Sequence, residues 1–139
     1  MLIQRKTDCA LRCLAVLAEA RGKQLVSVHQ LVEQGDISED LLHKIMQILG
    51  RAKLVRGTRG RTGGFRLAKS PEKITVLRIF EVLQGPFAVN RCLSKTNRGL
   101  SSKFVDIQEE LLSVFRGTTL ADLIHSDGKQ KRRTSCNRK

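Results

Sequence analysis

Along the first half of the chain, hydrophobic residues recur at the spacing of helices that bury one face. Between about residues 5 and 20, Ala10, Leu11, Leu14, Leu17 and Ala18 fall three and four apart, with Arg12 and Glu19 on the remaining positions, so an amphipathic helix is predicted. Arg21-Gly22-Lys23 breaks the pattern, and the run Leu25 to Val28 reads as a short extended link. Ser27 opens a second, short helix ending near Gly35, with Gln30 at the spacing of a capping box, in which each side chain satisfies a backbone N–H left unpaired at the helix start. Asp36-Ile37-Ser38 leads into a third helix, capped by Ser38, with Glu39 and Asp40 beside the positive end of its dipole. Leu42, Ile45, Leu49 and Ala52 form its inner stripe, widened by Leu41, Met46 and Ile48. Glu39, Asp40, His43, Lys44, Gln47 and Arg51 form its polar face.

The period then falls to two. Lys53 to Thr58 and Gly64 to Lys69 read as two short strands, with Val55, Phe65 and Leu67 facing in and Arg56 and Arg66 facing out. Gly60 to Gly64 is the turn between them, where glycines are expected to supply left-handed dihedrals. After Pro71, Thr75 caps a fourth helix carrying Val76, Leu77, Ile79, Phe80 and Leu83, which stops at Gly85-Pro86. A loop through Lys103 follows and contains Cys92. A long helix is predicted from about Ser102 to Arg116, with Phe104, Ile107, Leu111 and Val114 spaced three, four and three, and Val105, Leu112 and Phe115 broadening the stripe. That stripe is wider than docking on one small domain requires and suits pairing with a second copy, so a homodimer through this helix is expected. Thr119 and Asp122 repeat the capping-box spacing at the start of a short last helix ending near His125.

The expected fold is therefore mainly α with a small two-stranded β wing: a winged helix-turn-helix over residues 1–85, a loop over 86–100, a dimerisation helix and terminal helix over 101–125, and a basic tail over 126–139 expected to be disordered. One core is what 139 residues at 40% apolar content suit. Charge sharpens the picture. Lys and Arg number 26 against 13 Asp and Glu, a net +13, of which the tail supplies only +5, so the folded part itself calls for a polyanion. From Arg51 to Lys73 there are eight basic residues and one acid, a density that repels itself without such a partner. No apolar run approaches the roughly 18 residues of a spanning helix, and the first residues lack the features of a secretory signal, so a cytoplasmic protein with no membrane partner is expected.

A short helix, a turn of about three residues and a helix whose outer side offers His, Lys and Gln make a reading head for duplex DNA. A hairpin following it is a wing, and Arg59, Arg61 and Thr62 at its tip suit a phosphate backbone or a minor groove. A nonspecific architectural nucleic-acid-binding protein is the alternative that the charge allows. Single-strand RNA recognition fits poorly, because aromatics are 4% of the chain, all Phe, mostly at core-like positions. An enzyme is not expected: there is no phosphate-cradling GxxxxGK[ST], no HExxH and no evident pair of carboxylates.

The order of elements, the opening TDCALRCLAVLA, the segment ISEDLLHKIMQILGRAKLVRGTRGRTGGFRLAKSPEKIT and the closing TTLADLI together resemble the Rrf-two family of bacterial winged-helix regulators, of the IscR, NsrR and CymR type. The resemblance covers about residues 1 to 125. It implies a dimeric transcription regulator, in the first instance a repressor, bound to a roughly palindromic operator. Ser38, Glu39, His43, Lys44 and Gln47 would lie toward the major groove, Arg59, Arg61 and Thr62 at the wing tip, and Arg51, Arg56 and Arg66 among the DNA contacts.

Many members of that family hold an iron–sulfur cluster on three loop cysteines, and some add a residue near the start of the first helix. Here Cys92 resembles the first loop cysteine and Asp8 the helix-one ligand, while the other two loop cysteines are absent and the loop is about six residues shorter. No cofactor is therefore expected. The alternative is a cluster with a non-standard set, Cys92 and Asp8 joined by Cys9 and Cys13, which stand four apart on one helix. Zinc lacks supporting spacing. Cys92, flanked by Arg91 and Lys95, is the candidate redox sensor, with an inert loop cysteine as its alternative. Of His29, His43 and His125, only His43 has a position that points to a role.

Overall fold

The computed structural model describes residues 3–20, 24–87 and 98–125. Its elements are α1 (Arg5–Glu19), α2 (Val28–Gly35), α3 (Glu39–Arg51), β1 (Val55–Thr58), β2 (Gly64–Leu67), a single 3-10 turn (Pro71–Lys73), α4 (Val76–Gln84), α5 (Arg98–Gly117) and α6 (Leu120–His125).

Local chemistry sets most of the boundaries. Ser27 Oγ accepts from Gln30 N–H at 3.2 Å while Gln30 Oε1 accepts from Ser27 N–H at 3.1 Å, so the expected capping box starts α2. Ser38 Oγ takes Leu41 N–H at the start of α3, and Thr75 Oγ1 takes Arg78 N–H at the start of α4. The turn between α2 and α3 is closed by Asp36 in the left-handed region, φ 49°, a conformation that Asp tolerates better than most residues. It aims Ile37 into the core. A second non-glycine left-handed residue, Lys53 at φ 60°, ends α3. Lys53 therefore belongs to a turn, and the first strand starts at Val55, two residues later than expected.

The core is one cluster in which Leu14 and Leu17 of α1, Leu31 of α2, Leu42, Ile45 and Leu49 of α3, Ile79 of α4 and Leu120 of α6 are almost fully buried. Burying each such side chain stabilises the fold by about 1.5–3 kcal/mol before ordering costs. Met46 is buried with them, so α3 presents a wide apolar side inward and has little freedom to roll. β1 and β2 pair antiparallel in the register Val55↔Leu67, Arg56↔Arg66, Gly57↔Phe65 and Thr58↔Gly64. Val26, expected as a plain link, forms a third rung: its N–H donates to Phe65 O at 2.9 Å and its O accepts from Phe65 N–H at 2.8 Å.

α5 begins at Arg98, four residues before the expected start, and packs against α4; toward its C-terminal end the Phe115 ring lies 5.1 Å from Phe80 and 5.2 Å from Phe87. After it the chain returns to the core. Val76 N–H donates to Thr118 O and Leu120 N–H to Ile74 O, so the start of α6 is tied to the start of α4. Thr119 and Asp122 form the second expected capping box, with Thr119 N–H to Asp122 Oδ2 at 2.8 Å. Among the described residues no helix is long and apolar enough to cross a membrane.

Candidate nucleic-acid interface

The burial of Leu42, Ile45, Met46 and Leu49 leaves Glu39, Asp40, His43, Lys44, Gln47 and Arg51 exposed together on the outer face of α3, with Ser38 exposed at its start. Among the described residues the polar contact between side chains of this face is local: His43 Nε2 stands 3.4 Å from Glu39 Oε1, one turn back. Lys44 and Gln47 are both exposed to solvent on it.

The wing continues that face with positive charge. Arg56 and Arg66 are exposed and directly opposed across the two strands, an arrangement of like charges that costs stability in an isolated hairpin. Arg59, Arg61 and Thr62 are exposed around the tip, which is closed by Gly63 N–H donating to Gly60 O at 3.0 Å. The glycines of the turn have different reasons from the expected one. Only Gly60 takes a positive φ, 117°. A Cβ at Gly63 would collide with the Thr58 carbonyl oxygen, and one at Gly64 with the Val26 carbonyl oxygen, so these two are required by close backbone approach. Gly57 serves a third purpose, since a Cβ there would come within 2.9 Å of the Phe65 ring. Phe65 is half-buried, lying over that glycine as well as toward the core.

Between the first turn of α2, one residue of α3 and the wing lies an open cleft of about 690 Å³. His43 lines it from α3, Arg59 and Arg61 from the wing, and His29 from the first turn of α2. No local pattern along the chain joins His29 to the other three. The Val26–Phe65 rung, which no local pattern announces, brings the start of α2 beside the wing. A somewhat larger cleft, about 770 Å³, lies between the end of α1, Pro71 and α6 and contains none of the expected DNA contacts.

The helix-one candidates for a cluster do not fit that role. Cys9 is 5% exposed and Cys13 fully buried, both within the hydrophobic core. Cys13 lies against α2, where a Cβ on Gly35 would sit 3.2 Å from its Sγ. Burial pushes the Cys13 thiol up to about 11, with Cys9 adding to the rise, so it is held as a protonated packing residue and not as a thiolate donor. Asp8 is paired with Arg12 at 2.9 Å on the helix surface. Among the described residues no group of three His, Cys, Asp or Glu is placed to hold a metal ion. The non-standard set of Cys92, Asp8, Cys9 and Cys13 thus loses both helix-one thiols to the core. Cys92 itself, most of the 86–100 loop and the 126–139 tail lie outside the described residues.

On α5, Ile107 is 45% and Val114 61% exposed, with Val105 at 53%, while Phe104 and Leu111 are half-buried. Large apolar side chains left this open on one helix form a surface that a monomer does not cover.

Comparison with known proteins bears on the whole chain. A family model, Rrf2, described as an iron-dependent transcriptional regulator, matches residues 3–126. The chain is 30% identical over 132 residues to the HTH-type transcriptional regulator CymR of Bacillus subtilis, covering 94% of this chain and 96% of that one. It is 31% identical over 136 residues to the HTH-type transcriptional regulator NsrR of Oceanobacillus iheyensis, covering 91% and 92%. Among solved structures, that of CymR (YrzC), the global cysteine regulator of B. subtilis, superimposes with a TM-score of 0.82 at 28% identity, over 90% of this chain and 97% of that one.

Proposed function

From the membership of this chain in the Rrf2 family of DNA-binding transcription regulators, we propose that it works as a homodimer that occupies a palindromic operator and represses transcription by blocking access to it. The observation that carries the reading is the exposed face formed by α3 and the wing, on which Lys44, Gln47, Arg56, Arg59, Arg61 and Arg66 stand together, none with an acidic partner among the described residues. α3 enters the major groove, led by Ser38 and Glu39. Gln47 bonds an adenine edge, Lys44 a guanine or a phosphate, and His43 reaches between base and backbone. Arg59, Arg61 and Thr62 follow the minor groove, and Arg51, Arg56 and Arg66 hold phosphates. Ile107 and Val114, with Phe104 and Leu111, supply the pairing surface of α5. Cys92 is the sensor of this proposal, its flanking Arg91 and Lys95 favouring the reactive thiolate.

The test is selection of duplexes from a random pool, followed by footprinting of the winner. A protected palindrome, bound about a thousandfold more tightly than random duplex and weakened in Lys44→Ala and Arg59→Ala, supports the reading. Discrimination of tenfold or less points to the architectural alternative, and wild-type affinity in both variants overturns the docking. For the sensor, peroxide treatment should release DNA from wild type but not from Cys92→Ser.

A further inference from the structure

Along a DNA duplex, the sugar–phosphate backbone is the wall that separates a major groove from the adjacent minor groove. If α3 lies in the one and the wing tip reaches the other, a strand of backbone has to pass between α3 and the wing. That space is the cleft of about 690 Å³, bounded by the first turn of α2, His43 of α3 and the wing; beside Ser27, Val28, Thr58 and Phe65, the ionisable side chains that line it, His29, His43, Arg59 and Arg61, are all basic. Gly60 and Gly63 on the wing side carry no side chain to obstruct a phosphate.

We propose that this cleft seats a backbone phosphate of the bound strand, with His29 and His43 acting beside Arg59 and Arg61 as its ligands, so that DNA binding takes up protons. The proposal rests on the DNA-binding reading above. A neutral imidazole offers a phosphate oxygen one N–H, whereas an imidazolium offers two and a full charge. An imidazole ordinarily gains its proton near pH 6.5, and a phosphodiester stays anionic throughout the physiological range. The charged groups around the pair are few. Glu39 faces His43 at 3.4 Å on its own helix, Glu33 follows His29 by one turn of α2, and the two wing arginines line the cleft with both histidines. Among the described residues Glu39 is the one carboxylate in contact with either ring, and an arriving phosphate competes with it for His43. Bringing that negative charge to two histidines therefore stabilises their protonated forms in the complex. By linkage, acidification tightens binding.

The experiment is fluorescence anisotropy with two probes, the selected operator and a random-sequence duplex long enough for two half-sites. Each is titrated at several salt concentrations at about pH 5.8 and about pH 7.8, either side of the ordinary imidazole value. Wild type should bind about 35-fold more tightly at the lower pH, about sixfold for each histidine, if each imidazole gains about one pH unit of proton affinity in the complex. His29→Gln and His43→Gln should each remove part of that gain, and the double variant all of it, with its salt slope at low pH shallower by at most about one. The His29→Lys, His43→Lys double variant should bind at either pH like the wild type at low pH, which separates a lost charge from a lost fold. A double glutamine variant that still tightens on acidification overturns the proposal, as does wild-type binding that is flat with pH. If wild type binds neither duplex at either pH, the DNA-binding reading itself falls, and this inference with it.

Discussion

Arg56 stands directly across the wing from Arg66, both side chains exposed and neither with an acidic partner across the strands. Like charges in register oppose the pairing of the strands that carry them, so this pair is better suited to a polyanion than to the free hairpin. Arg66→Glu should reverse the sign of the cross-strand interaction and stabilise the free protein by about 0.2–1 kcal/mol in urea unfolding, while weakening duplex binding at least tenfold and flattening its salt dependence. Stability and affinity that fall together would mean the pair has a structural role instead.

The glycines of the chain separate into those with room and those without. Gly63→Ala and Gly64→Ala place a Cβ against the backbone oxygens of Thr58 and Val26 and should each cost about 2 kcal/mol or more, because backbone cannot step aside as a side chain can. Gly50→Ala, in α3 with nothing within 4 Å of the added carbon, should stabilise by about 0.5–1 kcal/mol. Thermal melts of the three variants check the ordering.

Cys9 and Cys13 should resist alkylation in the folded protein at mildly alkaline pH and react only on unfolding, read by mass spectrometry. The Cys13 thiol is raised from its ordinary 9.0 to about 11. Because the folded state holds that proton more tightly than the unfolded state, its contribution is complete below pH 9.0 and is lost as pH rises toward about 11. Stability of wild type should therefore fall more steeply over that window than stability of Cys13→Ala.

The Asp122 carboxyl is held below its ordinary 3.8 first by the Thr119 backbone N–H and then by the Thr119 hydroxyl. A depressed carboxylate contributes above its unfolded value and loses that contribution as pH falls through its folded one. Asp122→Ala should lower the melting temperature at neutral pH, and the gap to wild type should narrow as pH falls below 3.8.

Ile107→Arg combined with Val114→Arg should convert a dimer to a monomer in sedimentation, with the unfolding free energy of the isolated monomer changed by less than about 0.5 kcal/mol. The side chains replaced are 45% and 61% exposed, so the isolated chain loses little with them. A doubly substituted chain that remains dimeric would move the pairing surface elsewhere.

Much of this fold is legible because its instructions are local. Ser27 with Gln30, Ser38, Thr75, and Thr119 with Asp122 each sit within four residues of the groups they cap, and the stripes of α1, α3 and α4 repeat every turn. What stayed hidden is what distant segments do to one another. The demand for glycine at position 64 comes from Val26, far back in the chain, and the rung that Val26 makes with Phe65 brings the start of α2, and His29 with it, beside the wing. The early start of α5 was masked by Gly99, a poor helix former standing one residue inside it. Lys53 at φ 60° is the opposite case: a residue with no turn preference, held in the left-handed region by its neighbours.

The tie between Ile74–Val76 and Thr118–Leu120 joins the far end of α5 to the segment that leaves the wing. At that end the helix proposed to pair two copies is held by backbone hydrogen bonds to the domain proposed to grip DNA. A dimer built this way is a ruler, with its two reading heads at one separation and one relative twist. An operator with a single base pair added at its centre would carry the second half-site about 3.4 Å further along and about a tenth of a turn around the axis, out of register with a frame that has no slack to follow it.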